Sequence, residues 1–369
     1  MEDLKTISIK TQVRRLRYFF LCINFLKKSG SPKIIFQKKL QRWAQENQSD
    51  LKKLYSSTGE ITENKRELTS QSFKNYLEAF GKFGLSKQIN DLLIPTKICI
   101  TLKALKDVVK QTIEKNNSYE LSSYESVQIT YVILKQDGNI FITILKQIFD
   151  LKEPAQLVDL KKTYKDYYKS HLANILKASK HRNKDSIIEA LNRVNSWKNE
   201  ERYLEDIIPS RLNWMLDIGI IDQELYQNNG KYIFNKKGIE FCESLKLNHI
   251  FQHGFDQNYS ETQINSLSKL LNDNDFERWI DIDEQNRYRI FKESIYFAVD
   301  RFSSLKLPRF SIEQTFLFIS LYNLFENKVL IEFHEIENLL TNEVQIENKI
   351  FSIRKAARAS ESYISVRHA

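Results

Sequence analysis

The sequence predicts a mainly helical protein with short β-hairpins, and three observations predict it. Apolar residues recur at i, i+3 and i+6 over long stretches, the spacing that gives a helix one buried face. Glycine (9) and proline (5) are scarce in 369 residues, so few tight loops interrupt those stretches. Strand-like character is confined to short runs beside turn formers such as Asn228-Asn229-Gly230, a hairpin tip of the kind that needs positive φ.

The elements follow in order. Residues 12–28 and 33–55 carry mixed basic and apolar helical faces. The polar stretch 56–70 is a loop, Ser70 or Ser72 caps a helix over Phe73–Phe83, and Gly84 ends it. Leu92–Ile94 and Lys97–Thr101 are strand-like around Pro95-Thr96, and 102–115 returns to helix. Tyr124–Lys135 is helical, stops at Asp137-Gly138, and resumes over Ile140–Phe149. Polar helices fill 155–180 and 185–198, and Pro209 takes a first helical position ahead of RLNWMLDIGII (211–221). Thr262–Asn272 is helical, and Arg278–Ile282 and Arg287–Phe291 flank DEQN as a hairpin. From Ser311 the pattern gives a helix to Phe325, a VLIEF strand, a helix from His334, a further helix from Val344 to Ala359, and a YISV strand.

Composition narrows the class. With 41% hydrophobic and 28% charged residues the chain is of ordinary globular type, long enough for several modules. Its net charge of +9 is concentrated in blocks: residues 1–58 hold 13 Lys/Arg and 4 Asp/Glu, and 161–184 hold 8 against 1. Residues 261–300 are acidic, with 5 against 9. Basic blocks suit an anionic partner or a solvated helix face. Three cysteines, Cys22, Cys99 and Cys242, an odd number with no close pair, argue against a disulfide framework and for a reducing compartment. The apolar run Tyr18–Leu26 imitates a signal peptide, but it is too short to span a bilayer and no small-residue cleavage site follows. A cytoplasmic chain that does not use a membrane is the expectation.

No catalytic motif is recognisable. The sequence has no phosphate loop, no G-x-G-x-x-G, no H-E-x-x-H, no paired C-x-x-C and no G-x-S-x-G. No cofactor and no metal are expected; Cys242, His249 and His253 only faintly suggest a metal spacing. A metal-dependent nuclease would need clustered carboxylates. The nearest approach is Asp281 and Asp283, which would share one face of a strand.

A repeat organises the chain. YLEAFGKFGLS (76–86) aligns with RLNWMLDIGII (211–221): Leu77 falls on Leu212, Phe80 on Met215, Phe83 on Ile218, Gly84 on Gly219 and Leu85 on Ile220. Each block is an apolar helix, a glycine able to take a left-handed C-cap, a strand pair and another helix. This order resembles the second half of a winged helix-turn-helix, and the sequence from 311 resembles the first half of one. The resemblance covers windows at 33–110, 120–245 and 305–369. It implies tandem winged-helix-like modules joined by helices: basic N-terminal helices plus a first module (1–115), a second with a helical insertion (116–254), an acidic helix-hairpin connector (255–304) and a C-terminal module (305–369).

That resemblance implies a partner, double-stranded DNA, because a major groove admits a helix while Lys and Arg neutralise phosphates. Phosphate contacts are expected from Arg14, Arg15, Arg17, Lys38, Lys39, Lys74, Lys161, Lys162, Lys165 and Lys169. Base contacts are expected where the helix at 211 begins, at Ser210, Arg211 and Asn213, with Lys231 and Lys236 beside the wing. In the last module a third helix, VQIENKIFSIRKAARAS, would present Lys349, Arg354, Lys355 and Arg358. Serial modules without a catalytic core look like the target-recognition part of certain restriction enzymes. They imply a DNA-recognising subunit of a bacterial restriction or anti-phage defence complex. A protein-interaction adaptor, favoured by the acidic 261–300 segment, is the alternative.

Overall fold

The computed structural model describes residues 13–50, 70–109, 117–178, 184–254, 257–272, 275–302, 309–355 and 362–369; at 70–71 and 257–262 only the main chain is described. In chain order the elements begin with α1 (Arg17–Phe25), β1 (Ser31–Pro32), α2 (Lys33–Glu46), α3 (Ser70–Lys82), β2 (Ser86–Ile89), β3 (Leu92–Pro95) and α4 (Lys97–Val108). Next come α5 (Ser123–Phe149), β4 (Ala155–Gln156), α6 (Leu157–Ala178), α7 (Lys184–Asn195), α8 (Glu200–Asp217), α9 (Gln223–Asn229), β5 (Lys231–Tyr232), α10 (Lys236–Ser244) and α11 (Leu247–His253). The remainder is α12 (Gln257–Ser268), β6 (Glu277–Arg278), α13 (Glu284–Phe302), β7 (Arg309–Ser311), α14 (Ile312–Tyr322), β8 (Val329–Leu330), α15 (Phe333–Thr341), β9 (Val344–Ile346), β10 (Lys349–Arg354) and β11 (Tyr363–His368). The protein is therefore mainly helical with small, mostly antiparallel sheets. It divides into two units: one takes the described parts of Met1–Thr96, Ile113–Asp256 and Lys269–Leu271, the other those of Lys97–Thr112, Gln257–Ser268 and Asn272–Ala369.

One junction recurs. A short strand runs straight into a helix and pairs antiparallel with a strand formed much later: β1 with β3, β4 with β5, β7 with β11. The aligned glycines also correspond. Gly84 (φ 64°) and Gly219 (φ 76°) both close their helices in the left-handed region. Leu85 N–H reaches back to the Phe80 carbonyl (3.1 Å), and Ile220 N–H to the Met215 carbonyl (3.1 Å). This six-to-one bond of a Schellman cap falls at the same register in both blocks.

In the first unit Tyr18 through Ile23 of α1 are buried, and among the described residues no helix is long and apolar enough to cross a membrane. Tyr18 packs on Tyr76 (4.7 Å between ring centroids), Phe19 on Phe83 (5.2 Å) and Phe83 on Trp214 (5.6 Å), which ties α1, α3 and α8 into one core. The long helix α5 is buried nearly all round and bends at Asp137, whose φ of −122° is not helical. The expected stop at Asp137-Gly138 is thus a kink within one helix.

Four local expectations in this region are corrected. Lys97–Thr101 is not a strand but the start of α4, two residues after Pro95 ends β3. Pro209 lies inside α8, which starts earlier, at Glu200 behind the Asn199 cap. The Asp206 and Ile207 carbonyls just upstream of that proline accept from the Arg211 guanidinium (3.3 and 3.2 Å). The NNG triplet has its positive φ at Gly230 (63°), but it closes the short helix α9 rather than a hairpin. The flanking ends still meet, through the Ile221–Phe234 bridge. Finally, Lys236 and Lys237 open α10 behind the Asn235 cap and do not lie on a wing.

The second unit centres on Trp279, Phe291, Ile295, Ile319, Ile336 and Phe351. Its sheet runs in the order β7-β11-β10-β9. Here the expected third helix from Val344 is wrong. Val344–Ile346 and Lys349–Arg354 form an antiparallel hairpin, with Lys349 opposite Ile346. Glu347 supplies the positive φ (53°) of its turn. The β-branched residues spaced by two at Val344 and Ile346 fit a pleated strand better than a helix. The expected hairpin around DEQN is also absent. Trp279–Asp281 is a single 3-10 turn, and Asp283 accepts from Asn286 N–H (3.0 Å) as α13 begins. An aspartate so placed starts a helix rather than turning a hairpin.

Candidate nucleic-acid interface

The expected DNA-contacting residues do not share a surface. Those at the start of the 211 block lie in the core of the first unit, where Ser210, Arg211 and Asn213 are buried. The Arg211 guanidinium grips Asp137 through two bonds, Nε to Oδ2 (2.9 Å) and Nη2 to Oδ1 (3.0 Å). Its third nitrogen also donates to Ser210 Oγ (3.2 Å), and the group stacks on Trp214 at 5.1 Å. Burial pushes the Asp137 carboxyl up while the adjoining guanidinium draws it back. With its donors engaged inside the protein, Arg211 is not placed to read a base. The reason is that α8 is covered on most sides, so a position that looks polar along the sequence still faces the interior.

Internal pairing removes others. Arg15 is buried against Asp217, whose second oxygen accepts from Leu16 N–H (2.8 Å). Arg17 pairs with Glu125 (2.7 Å), Lys165 with Glu200 (2.5 Å) and Lys161 with Glu205. Lys162 and Lys236 stay exposed, each 3.8 Å from a carboxylate of its own helix, Asp159 and Glu240. Arg14, Lys169 and Lys231 are half-buried. In the second unit Lys349 sits over the Tyr296 ring (5.2 Å), Arg354 faces Glu343 (3.5 Å) and Lys355 faces Glu337 (3.6 Å). All three belong to a strand or its end, not to a helix. Arg358 lies outside the described residues.

Lys38, Lys39 and Lys74 are exposed as well. Lys38 and Lys39 share the solvent face of α2 with Ile34, Ile35 and Arg42. Arg42 is paired only within its own helix, with Glu46 at 2.8 Å. The start of α2 is fastened to the β2–β3 hairpin: Lys33 N–H donates to the Asp91 carbonyl (2.8 Å) and Lys33 Nζ to Gln88 Oε1 (3.3 Å). The hairpin adds exposed Lys87. Lys33, Arg42 and Lys87 were not among the expected contacts. The signal available for Arg42 was its i+4 spacing from Lys38 on one helix face. Across the three-stranded sheet, Leu92 stands opposite both Pro32 and Ile89. An exposed apolar row therefore adjoins the lysines, with Ile34 61%, Ile35 51%, Ile89 56% and Leu92 42% exposed.

The carboxylates considered for metal-assisted hydrolysis are engaged elsewhere. Asp281 takes two bonds from Arg278 (2.7 and 3.1 Å), and Asp283 caps α13. Among the described residues no group of three or more His, Cys, Asp and Glu is placed to hold a metal ion. The three cysteines are buried, and none of them is in a disulfide. No family model, curated protein or solved structure matches the chain.

Proposed function

We propose that this chain binds duplex DNA without catalysing a reaction on it, as tandem winged-helix-like modules, and that α2 with the β2–β3 hairpin carries the contact. The observation behind the reading is the solvent face of α2, where Lys38, Lys39 and Arg42 stand together beside a hairpin that carries exposed Lys87. Such a face can neutralise successive phosphates and release their counterions. The modular part is supported by the recurring strand-to-helix junction and by the sheet order β1-β3-β2 in the first module. Among the described residues helix, strand, helix, helix, strand and strand come in that order, so that α3 precedes the hairpin as a recognition helix would and α2 is the helix that would cross the phosphate backbone. The proposed contact is narrower than the one expected from sequence, because most other candidate cations have carboxylate partners.

The test is the affinity of the full chain for a short duplex across a salt series. Three to five phosphate contacts imply a log–log slope of about −3 to −4.5. A flat salt dependence, or no retention at low salt, overturns the proposal. A protein-adaptor reading has its own support in the exposed row of Ile34, Ile35, Ile89 and Leu92, since apolar patches of this kind mark protein contacts. Replacing Ile34 and Ile35 with serine separates the two. It should leave duplex affinity within about twofold if phosphates dominate binding.

A further inference from the structure

The short helix α11 carries a feature the DNA reading does not use. His249 and His253 are both exposed and lie four residues apart, one above the other on the same helix face. Their rings are stacked, with centroids 4.4 Å apart and planes 26° from parallel. His253 Nδ1 lies 3.1 Å from the His249 carbonyl. A carbonyl only accepts, so this nitrogen carries the proton and Nε2 keeps the lone pair. The backbone beneath is fixed. Leu247, Ile250 and Phe251 are buried, and the Phe251 carbonyl is bonded to buried His171 (2.8 Å). Gly254, at φ 75°, closes the helix with a 2.7 Å bond to Ile250.

We propose that His249 and His253 chelate one late first-row divalent cation of the zinc class. The stacked rings set their in-plane lone pairs side by side, so two imidazoles one helical turn apart can turn onto one cation by side-chain rotation alone, with no change in the main chain, and imidazole favours Zn²⁺, Cu²⁺ and Ni²⁺ over Mg²⁺ and Ca²⁺. The nearby cysteine does not join them: Cys242 is buried, and burial holds its thiol well above the usual range, with Glu243 adding to the effect. With two protein donors the cation keeps water on its remaining positions, so the site is exchangeable rather than structural.

Calorimetric titration of the full metal-free chain with Zn²⁺ near neutral pH tests this. One saturable site per chain is expected, lost in His249→Ala and in His253→Ala, and absent when Mg²⁺ replaces Zn²⁺. Both side chains are exposed, so the variants should keep the far-ultraviolet dichroism of the parent. No saturable Zn²⁺ binding, or binding retained in both variants, overturns the proposal.

Discussion

The two units differ in whether they enclose ion pairs. The first encloses them: Arg211 and Asp137 are both fully excluded from solvent, and Arg15 and Asp217 nearly so. In the second the ion pairs described lie at the surface, as in Arg354–Glu343, Lys355–Glu337 and Lys292–Glu347, and the first unit carries surface pairs as well, Lys161–Glu205 among them. Similar residue types thus serve different ends. Enclosed pairs fix one arrangement of the helices because a misplaced charge would be stranded in the core. Exposed pairs do little for stability, but they cancel the field that would draw in a polyanion. Where a cation sits therefore predicts function better than how many cations there are.

The largest expected effect breaks the enclosed pair. Arg211→Met strands the Asp137 carboxylate, the Ser210 region and the carbonyls above Pro209. It should cost about 3–5 kcal/mol in chemical denaturation. The double replacement Arg211→Met with Asp137→Leu should recover most of that loss. If the single variant costs under about 1 kcal/mol, the pair is not what holds α5 at its kink to α8.

Of similar size is a pair of opposed pH responses, one in each unit. In the second unit Glu332 is pushed up to about 8 by burial, against the pull of Asn265 N–H (3.0 Å) and Ile264 N–H (3.1 Å). Its folded value lies above the usual 4.5, so its contribution is fully present below pH 4.5 and is lost as the pH rises through about 8. The loss should reach about 4–5 kcal/mol, and Glu332→Gln should flatten it. In the first unit His171 runs the other way. Burial lowers it to about 4 although its bond to the Phe251 carbonyl raises it. Its contribution is present above pH 6.5 and is lost as the pH falls through about 4, by about 2–3 kcal/mol. Hydrogen exchange of peptides from α15 and from α6, corrected for intrinsic chemical rates, reads the two units separately in one sample. Parallel responses in both would contradict this contrast.

The smallest effect belongs to the exposed pairs. Arg354→Ala should change stability by less than about 1 kcal/mol. A larger loss would mean that the guanidinium supports the β9–β10 hairpin in some further way.

The sequence carried the helical framework and the repeated glycine caps, because both depend on local chemistry: apolar spacing and a residue free to take positive φ. The paired caps at Gly84 and Gly219 are the clearest case. It failed where two periods overlap in a short window. Val344, Ile346, Ile350 and Ile353 fit one helix face, yet two of them also fit alternation about a Glu347-Asn348 turn. Long-range strand pairing with β11 decides between these, and no local window contains it. The site was harder still. Lys38 and Lys39 were visible, but nothing in the vicinity of Arg211 announces Asp137, 74 positions away. Gly238 shows the same limit: an added Cβ there would lie 2.3 Å from the Ile220 carbonyl, a contact made only by the fold.

The most direct measurement compares duplex affinity, at one salt concentration, for two triple variants of the full chain. Each loses three positive charges: Lys38→Ala with Lys39→Ala and Arg42→Ala, and Lys349→Ala with Arg354→Ala and Lys355→Ala. The first should lose about tenfold or more in affinity and about two to three units of salt slope, while the second stays within about twofold of the parent. Equal losses in both, or a loss confined to the second, would contradict DNA contact through α2.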